Sequence, residues 1–201
     1  MKKKIVIIAS SNKGKIKEVK DIFHEYEVLS LKEASIKLGK DLIVSEDQST
    51  HKDNALEKVR GLYKQVGDNY ICIADDSGIA IDALYGFPGV HTARWMDADD
   101  HTKNLHLLEK MKNVKKDDRG CHYTTVIAIK SKDYEETFGY TLDGIVANEC
   151  RGENGFGFDE IFELPNKLTL AEITSLEKYQ LSPRKKALDK VRDFVNKNLL
   201  I

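Results

Sequence analysis

Ala74-Asp75-Asp76-Ser77-Gly78 is the stretch on which the reading of this chain turns. Tyr70-Ile71-Cys72-Ile73 leads into it, Ile79-Ala80-Ile81 leads out, and the turn-forming Gly86-Phe87-Pro88-Gly89-Val90 follows. The flanking apolar runs read as strands, which puts two adjacent carboxylates at the end of a buried strand. Such a pair is costly to keep ionised without a cation, and a divalent metal is the commonest reason to put it there. Strand residues alternate faces, so only one of the two need point at a given ligand.

Upstream, Ile5-Val6-Ile7-Ile8-Ala9 has the composition of a strand buried on both faces. The polar turn Ser10-Ser11-Asn12-Lys13-Gly14-Lys15 follows, then a helix with Ile16, Val19, Ile22 and Phe23 on one side. A strand, a small polar loop and a helix N-terminus aim backbone N–H groups and the positive end of a helix dipole at one point. Lys13 and Lys15 add charge there. The P-loop spacing is absent, so the residues alone fit either a phosphate site or an ordinary strand-to-helix turn.

Val28-Leu29-Ser30-Leu31 and Leu42-Ile43-Val44 read as two short strands around a lysine-rich loop. Thr50 and Asp53 have the spacing of a helix cap, and Ala55, Val59, Leu62 and Val66 form the apolar stripe of the helix that follows. Asn54 and Lys58 fall on a different face and read as solvated helix surface. Glu46, just before this helix, is placed to reach a metal near its N-terminus.

Downstream, His91 reads as a loop residue and Trp95 as a packing residue. A helix runs through Leu105, Leu108 and Met111, with Asn104 near its start. Cys121 to Lys130 and Tyr134 to Val146 then read as an antiparallel hairpin across Ser131-Lys132-Asp133. With no helix between them, the pattern changes from α/β units to a meander, either a second lobe or an extension of the same sheet. Gly152-Glu153-Asn154-Gly155-Phe156-Gly157-Phe158-Asp159 either presents aromatic faces and an acceptor to a ligand or is a turn whose phenylalanines join the core. The last helix begins with Ser182 at the N-cap and Pro183 at the first position, and buries Ala187, Leu188, Val191, Phe194 and Val195. Arg184 lies in its first turn, where the dipole disfavours a cation, which hints at a ligand-facing role.

The 201 residues suit one large domain or two small lobes sharing a core. A formal net charge of −1 gives no bias toward nucleic acid. The three cysteines, Cys72, Cys121 and Cys150, lack metal-like spacing and read as reduced thiols. The apolar run behind Met1-Lys2-Lys3-Lys4 is too short for a signal peptide, and no stretch approaches the about 18 apolar residues of a membrane span. The expectation is a cytoplasmic protein with no membrane and no nucleic-acid partner.

Five stretches, in order, resemble one family. Ser10 to Lys15 with Glu18 resembles an S/T-x-N-x-x-K-x-x-E element, and Asp53-Asn54-Ala55-Leu56-Glu57-Lys58 resembles E-N-A-x-x-K. Ala74 to Leu84, continued by Pro88-Gly89-Val90 and Ala93-Arg94, is similar to A-D-D-S-G-L-x-V-D-A-L. Gly155-Phe156-Gly157-Phe158-Asp159 resembles G-F-G-Y-D, and Glu172 through Arg184 resembles A-E-L-x-x-E-x-K-x-x-x-S-H-R. These are motifs of the Ham1-type inosine triphosphate pyrophosphatases, and the resemblance runs from about residue 5 to residue 195.

The resemblance implies a single domain over residues 1–201 with an α/β fold: an elongated central mixed sheet flanked by helices, in two lobes with an active-site cleft between them. It implies a homodimer and a Mg²⁺-dependent hydrolysis of ITP, dITP or XTP to the monophosphate and pyrophosphate. By motif match, Ser10, Ser11, Asn12, Lys13, Gly14 and Lys15 would hold the triphosphate. Glu46 and Asp76 would hold the metal, and Asp76 would also accept the proton of the attacking water. Ser77 would touch substrate, while Phe156, Gly157, Phe158, Asp159, Lys178, Pro183 and Arg184 would line the base and sugar pocket. Asp75 would support from behind.

The chain departs from the pattern where S-H-R becomes Ser182-Pro183-Arg184, where Glu160 replaces a proline, and where Gln48 replaces a glycine. A proline ring donates no hydrogen bond. One lost donor in a polar pocket shifts discrimination by about 1–3 kcal/mol, so the same chemistry with altered base selectivity is one alternative. A nucleotide-binding protein without catalysis is another, against which the retained Asp75, Asp76, Glu46, Lys15 and Arg184 argue.

Overall fold

The computed structural model describes residues 4–199. Met1, Lys2 and Lys3 of the basic start, and the last residues of the expected 1–201 domain, lie outside the described residues. The expected strand at residues 5–9 is β1 (Ile5–Ile8). It pairs in parallel with β2 (Glu27–Ser30) on one side and with β3 (Tyr70–Ile81) on the other. Ile8 stands opposite Ile73, and the Ala9 N–H donates to the Ile73 carbonyl at 2.7 Å. This register brings Ser10 and the residues after it to the same end of the sheet as Asp75 and Asp76. That end is the carboxyl end of parallel strands, where open α/β sheets place their ligands.

The sheet has six strands in the order β2-β1-β3-β4-β5-β6, with β4 at Gly120–Lys130, β5 at Glu135–Val146 and β6 at Phe162–Glu163. It is mixed, since β5 and β6 are antiparallel while β1 is parallel to both neighbours. The connection from β4 to β5 is too short for a crossover, so this pair is the expected hairpin. Helices α1 (Lys13–Ile22), α2 (Leu31–Leu38), α3 (His51–Val66), α4 (Asp100–Met111), α5 (Ser175–Leu181) and α6 (Pro183–Leu199) complete the α/β fold.

Three expectations are corrected. Leu31 belongs to a helix and not to a strand, because Ser30 and Glu33 form a reciprocal capping box that starts α2 where a lysine-rich loop was expected. Leu42-Ile43-Val44 forms no strand; Ile43 is exposed, and the segment runs irregularly toward Glu46. The runs on either side of Asp75-Asp76 are one unbroken strand, so the carboxylates sit within β3 and not after it.

The chain divides into two compact units. The first contains the residues up to Asp76, Thr125–Tyr140 and the chain from Arg184 on; the second contains Ser77–Thr124 and Thr141–Pro183. In the first unit, Val6, Ile8, Ile71 and Ile73 pack with Val19, Leu188 and Val191, while Ile7, Cys72 and Ala74 pack with Ala55, Val59 and Leu62. Adjacent residues of β1 and β3 therefore enter two different cores, which is why both strands read as continuous apolar runs. The second unit has its own core of Ile79, Ile81, Leu107, Met111, Cys121, Val146, Ile161 and Phe162. Its buried Arg119 guanidinium donates to the carbonyls of Val146, Met111 and Ala147 at 2.8, 2.8 and 2.6 Å. Trp95 packs edge-on against Phe87, as a packing residue should. No helix among the described residues is long and apolar enough to cross a membrane.

Candidate active site

Alternation along β3 separates the two aspartates. Asp75 faces α1 and α6: its Oδ2 is 2.8 Å from Lys15 Nζ and 3.2 Å from Arg184 Nε. Arg184 Nη1 lies 3.5 Å from Glu18 Oε2. Burial raises the Asp75 carboxyl, but Lys15 and Arg184 outweigh it and hold the group down at about 2. The second oxygen, Oδ1, is buried and makes no hydrogen bond among the described residues.

Asp76 faces α3. Its Oδ2 is 2.7 Å from His51 Nδ1 and 3.4 Å from Asn54 Nδ2, and its Oδ1 is 3.1 Å from Lys58 Nζ. Lys58 Nζ is also 2.6 Å from Glu46 Oε2. His51, Asn54 and Lys58 stand at i, i+3 and i+7, one stripe of a helix. Asn54 is fully buried and Lys58 nearly so, which overturns the reading of that face as solvated surface. The missing signal was the extension of the Asn54–Lys58 pair back to His51 at helical spacing, which marks a third polar residue on the same face. Burial raises the Asp76 carboxyl, yet the His51 hydrogen bond and the Lys58 charge hold it below the usual carboxylate range. Burial also pulls the Lys58 ammonium down, and Asp76 and Glu46 more than restore it.

The donor set fits a hard divalent cation. One cation, the Lys58 ammonium, already lies within contact of both Glu46 and Asp76, so their carboxylates converge on a shared positive charge. The oxygens they offer are the ligands that Mg²⁺ prefers.

The turn after β1 is built by its own side chains. Ser10 Oγ accepts from the Asn12 N–H at 3.2 Å, and Asn12 Oδ1 accepts from the Lys15 N–H at 3.1 Å, capping α1. Ser11, Asn12, Lys13 and Gly14 are exposed, with the N-terminal N–H groups of α1 emerging among them. Lys15 turns back to Asp75, so its charge is held against the strand.

The glycine-rich stretch lies in the second unit. The Phe156 N–H donates to Asp159 Oδ2 at 2.7 Å, and Lys178 of α5 forms an ion pair with the same oxygen. Lys178 Nζ also stands 4.3 Å from the centre of the Phe156 ring, whose side chain is half exposed. Burial raises the Asp159 carboxyl against the pull of Lys178. Gly155 has φ +88°, and a Cβ there would overlap the Asp159 carboxylate, so glycine is required. The Gly157 N–H donates to Asp100 Oδ2 at 2.7 Å, and its carbonyl accepts from Asn104 at 2.9 Å. Asp100 and Asn104, at the start of α4, were not foreseen as supports of this loop.

Several expected ligand contacts look different in place. Phe158 packs against the core, while Phe156 does not. Arg184 is only 4% exposed and is held by Asp75 and Glu18, whose charges offset the unfavourable dipole at the start of α6. Pro183 is the buried first residue of α6, and Ser77 is half-buried in β3.

Comparisons with known proteins agree with one another. The model of the Ham1 family matches residues 6–194. A dITP/XTP pyrophosphatase of Clostridium perfringens is 37% identical, over 93% of this chain and 95% of its own. One of Bacillus subtilis is 38% identical, over 94% and 95%. The solved structure of the Staphylococcus aureus Ham1 protein superposes with a TM-score of 0.86 at 34% identity, covering 96% of this chain and 99% of that one. Sequence motifs, strand register and whole-chain similarity thus converge: this chain belongs to the Ham1 family.

Proposed function

We propose that this protein is a Mg²⁺-dependent pyrophosphatase that hydrolyses nonstandard purine nucleoside triphosphates (ITP, dITP, XTP) to the monophosphate and pyrophosphate. Relatives named dITP/XTP pyrophosphatases support the substrate class. The observation that carries the chemistry is the convergence of Glu46 and Asp76 on one cation, with Asp76 on the part of β3 just past the carboxyl end of β1.

Glu46 and Asp76 hold the metal, which when bound neutralises phosphate charge and acidifies a water. The turn from Ser10 to Lys15 holds the triphosphate through backbone N–H groups, with Lys13 adding charge. Water attacks the α-phosphorus, the bond from it to the α–β bridging oxygen breaks, and pyrophosphate leaves. Asp76 orients the water and takes its proton; Lys58 and His51 keep that carboxylate ionised and fixed. Lys15 and Arg184 act through Asp75, locking the strand that carries Asp76. Phe156 offers the stacking face, while Asp159 and Lys178 hold its loop; Gly157 and Ser77 complete the substrate contacts, with Phe158 and Pro183 backing them from the packed side. The same reading carries a single functional domain, a cytoplasmic location and a homodimer, the last tested by light scattering on the eluting protein.

Purified protein with Mg²⁺ should release pyrophosphate, and not orthophosphate, from ITP and XTP, with far lower kcat/KM on ATP. Orthophosphate release would overturn the assignment. Equal kcat/KM across ITP, XTP, GTP and ATP would favour relaxed selectivity, which Pro183 at the start of α6 would explain.

A further inference from the structure

His101, Cys150 and Glu160 have no part in the chemistry above, yet they converge in the second unit. His101 lies in the first turn of α4, Cys150 follows β5, and Glu160 follows the Phe156–Asp159 loop. One ligand atom from each, an imidazole nitrogen, a thiol sulfur and a carboxylate oxygen, lies within 4.8 Å of the other two. His101 Nδ1 is 2.8 Å from Glu160 Oε2, and the Cys150 thiol faces the same carboxylate.

We propose that His101, Cys150 and Glu160 form a second metal site, for Zn²⁺ or a similar borderline transition ion, distinct in residues and in chemistry from the oxygen set of Glu46 and Asp76. Ligand atoms around a tetrahedral zinc stand about 3.3–3.8 Å apart, from bond lengths of about 2.0–2.3 Å. The His101–Glu160 pair, at 2.8 Å, has to open by about half an ångström to match, and the other separations, all within 4.8 Å, have to close by at most about an ångström and a half. Nitrogen, sulfur and oxygen donors together suit zinc and exclude Mg²⁺, which takes oxygen ligands. A thiolate and a carboxylate balance the charge of a divalent ion, and three protein ligands leave a fourth position for water.

The surrounding structure holds the donors in place. The Arg151 N–H donates to the Glu160 carbonyl at 3.0 Å, tying the residue after Cys150 to Glu160. Asn104 Nδ2 lies 3.3 Å from Glu160 Oε2 while also donating to the Gly157 carbonyl, so a supporting contact orients the carboxylate. Burial, and then the neighbouring Glu160, push the Cys150 thiol up to about 11. Metal must therefore displace the thiol proton, and affinity rises with pH. The site is reachable, since His101 is exposed and Cys150 and Glu160 are half-buried, whereas Cys72 and Cys121 are fully buried.

The test is a Co²⁺ titration of the whole chelator-treated protein in excess Mg²⁺, which keeps the oxygen site filled. One equivalent should bind with visible absorption of a four-coordinate ion and a near-ultraviolet thiolate-to-metal band, and Zn²⁺ should bleach both. Cys150→Ser should remove the thiolate band. His101→Ala, at an exposed position that the fold tolerates, should weaken binding more than the about 10–100-fold expected for a supporting residue. No thiolate band in the unaltered protein, a band that survives Cys150→Ser, or unchanged affinity in His101→Ala would each overturn the proposal.

Discussion

The Lys58 ammonium stands 3.1 Å from Oδ1 of Asp76, inside the first unit and almost out of reach of water. A buried lysine beside a buried aspartate is a neutral pair, and the aspartate is thereby ionised before any metal arrives. Because Glu46 shares the same ammonium, an incoming divalent ion competes with Lys58 for oxygens that are already in position.

Removing that charge tests the assignment directly. Asp76→Asn should lower kcat on ITP by about a thousandfold or more. Far-ultraviolet circular dichroism should show the fold retained, and the thermal midpoint should fall less than for Asp75→Asn, because Lys58 keeps Glu46 as a partner at 2.6 Å. Turnover near the unaltered rate would mean that Asp76 is not the water-activating carboxylate.

Asp75 should behave oppositely. It touches half-buried Lys15 and buried Arg184 and is itself almost fully buried, so Asp75→Asn removes their shared counter-charge. Breaking such a pair from one side costs about 3–5 kcal/mol, and Glu18 beside Arg184 favours the lower end. Denaturant unfolding should show this loss. An unchanged midpoint would place Asp75 outside the framework of the fold.

These contrasting roles mark where the sequence was legible. Period and composition located β1, α1, the apolar stripe of α3 and the β4–β5 hairpin, since each depends on contacts near in sequence. The adjacency of Asp75 and Asp76 announced a cation. What stayed hidden was which cation each one meets, because Lys15, Lys58 and Arg184 lie 60, 18 and 109 residues or so away and only the sheet register brings them in. The helix dipole marks Arg184 as unusual from local sequence, but the two carboxylates that surround it, Asp75 and Glu18, come from β3 and α1 and are not legible there. Around α2 composition misleads for a different reason: Lys32, Lys37 and Lys40 have the look of a solvated loop, whereas the Ser30–Glu33 capping box decides the local structure.

Gly155 links backbone geometry to the aromatic loop. At φ +88°, with the Asp159 carboxylate where a Cβ would lie, Gly155→Ala should cost about 1–3 kcal/mol of local strain. The loop would yield first, since it joins Phe156 to Asp159 and Lys178. KM for ITP should rise severalfold with kcat nearly unchanged. A fall in kcat at constant KM would instead make the loop part of the chemistry.

The last prediction concerns acid. Glu135 Oε1 meets Arg60 Nε at 3.0 Å and Oε2 meets Lys130 Nζ at 3.0 Å. The Arg60 hydrogen bonds, against some burial and with help from Lys130, hold its carboxyl down at about 2 from an ordinary 4.5. A group whose folded-state value is depressed stabilises fully above its unfolded value and loses that contribution as pH falls toward the folded one. The stabilisation should therefore be complete at pH 7 and fade between about 4.5 and about 2. The pair is partly exposed, so screening limits it to about 0.5–1 kcal/mol. Glu135→Gln should be less stable by that amount at pH 7 in urea unfolding, and the gap should close as the pH drops through this window. A gap that is the same at pH 7 and pH 3 would show that the carboxylate's charge contributes nothing and that the lost packing contributes all of it.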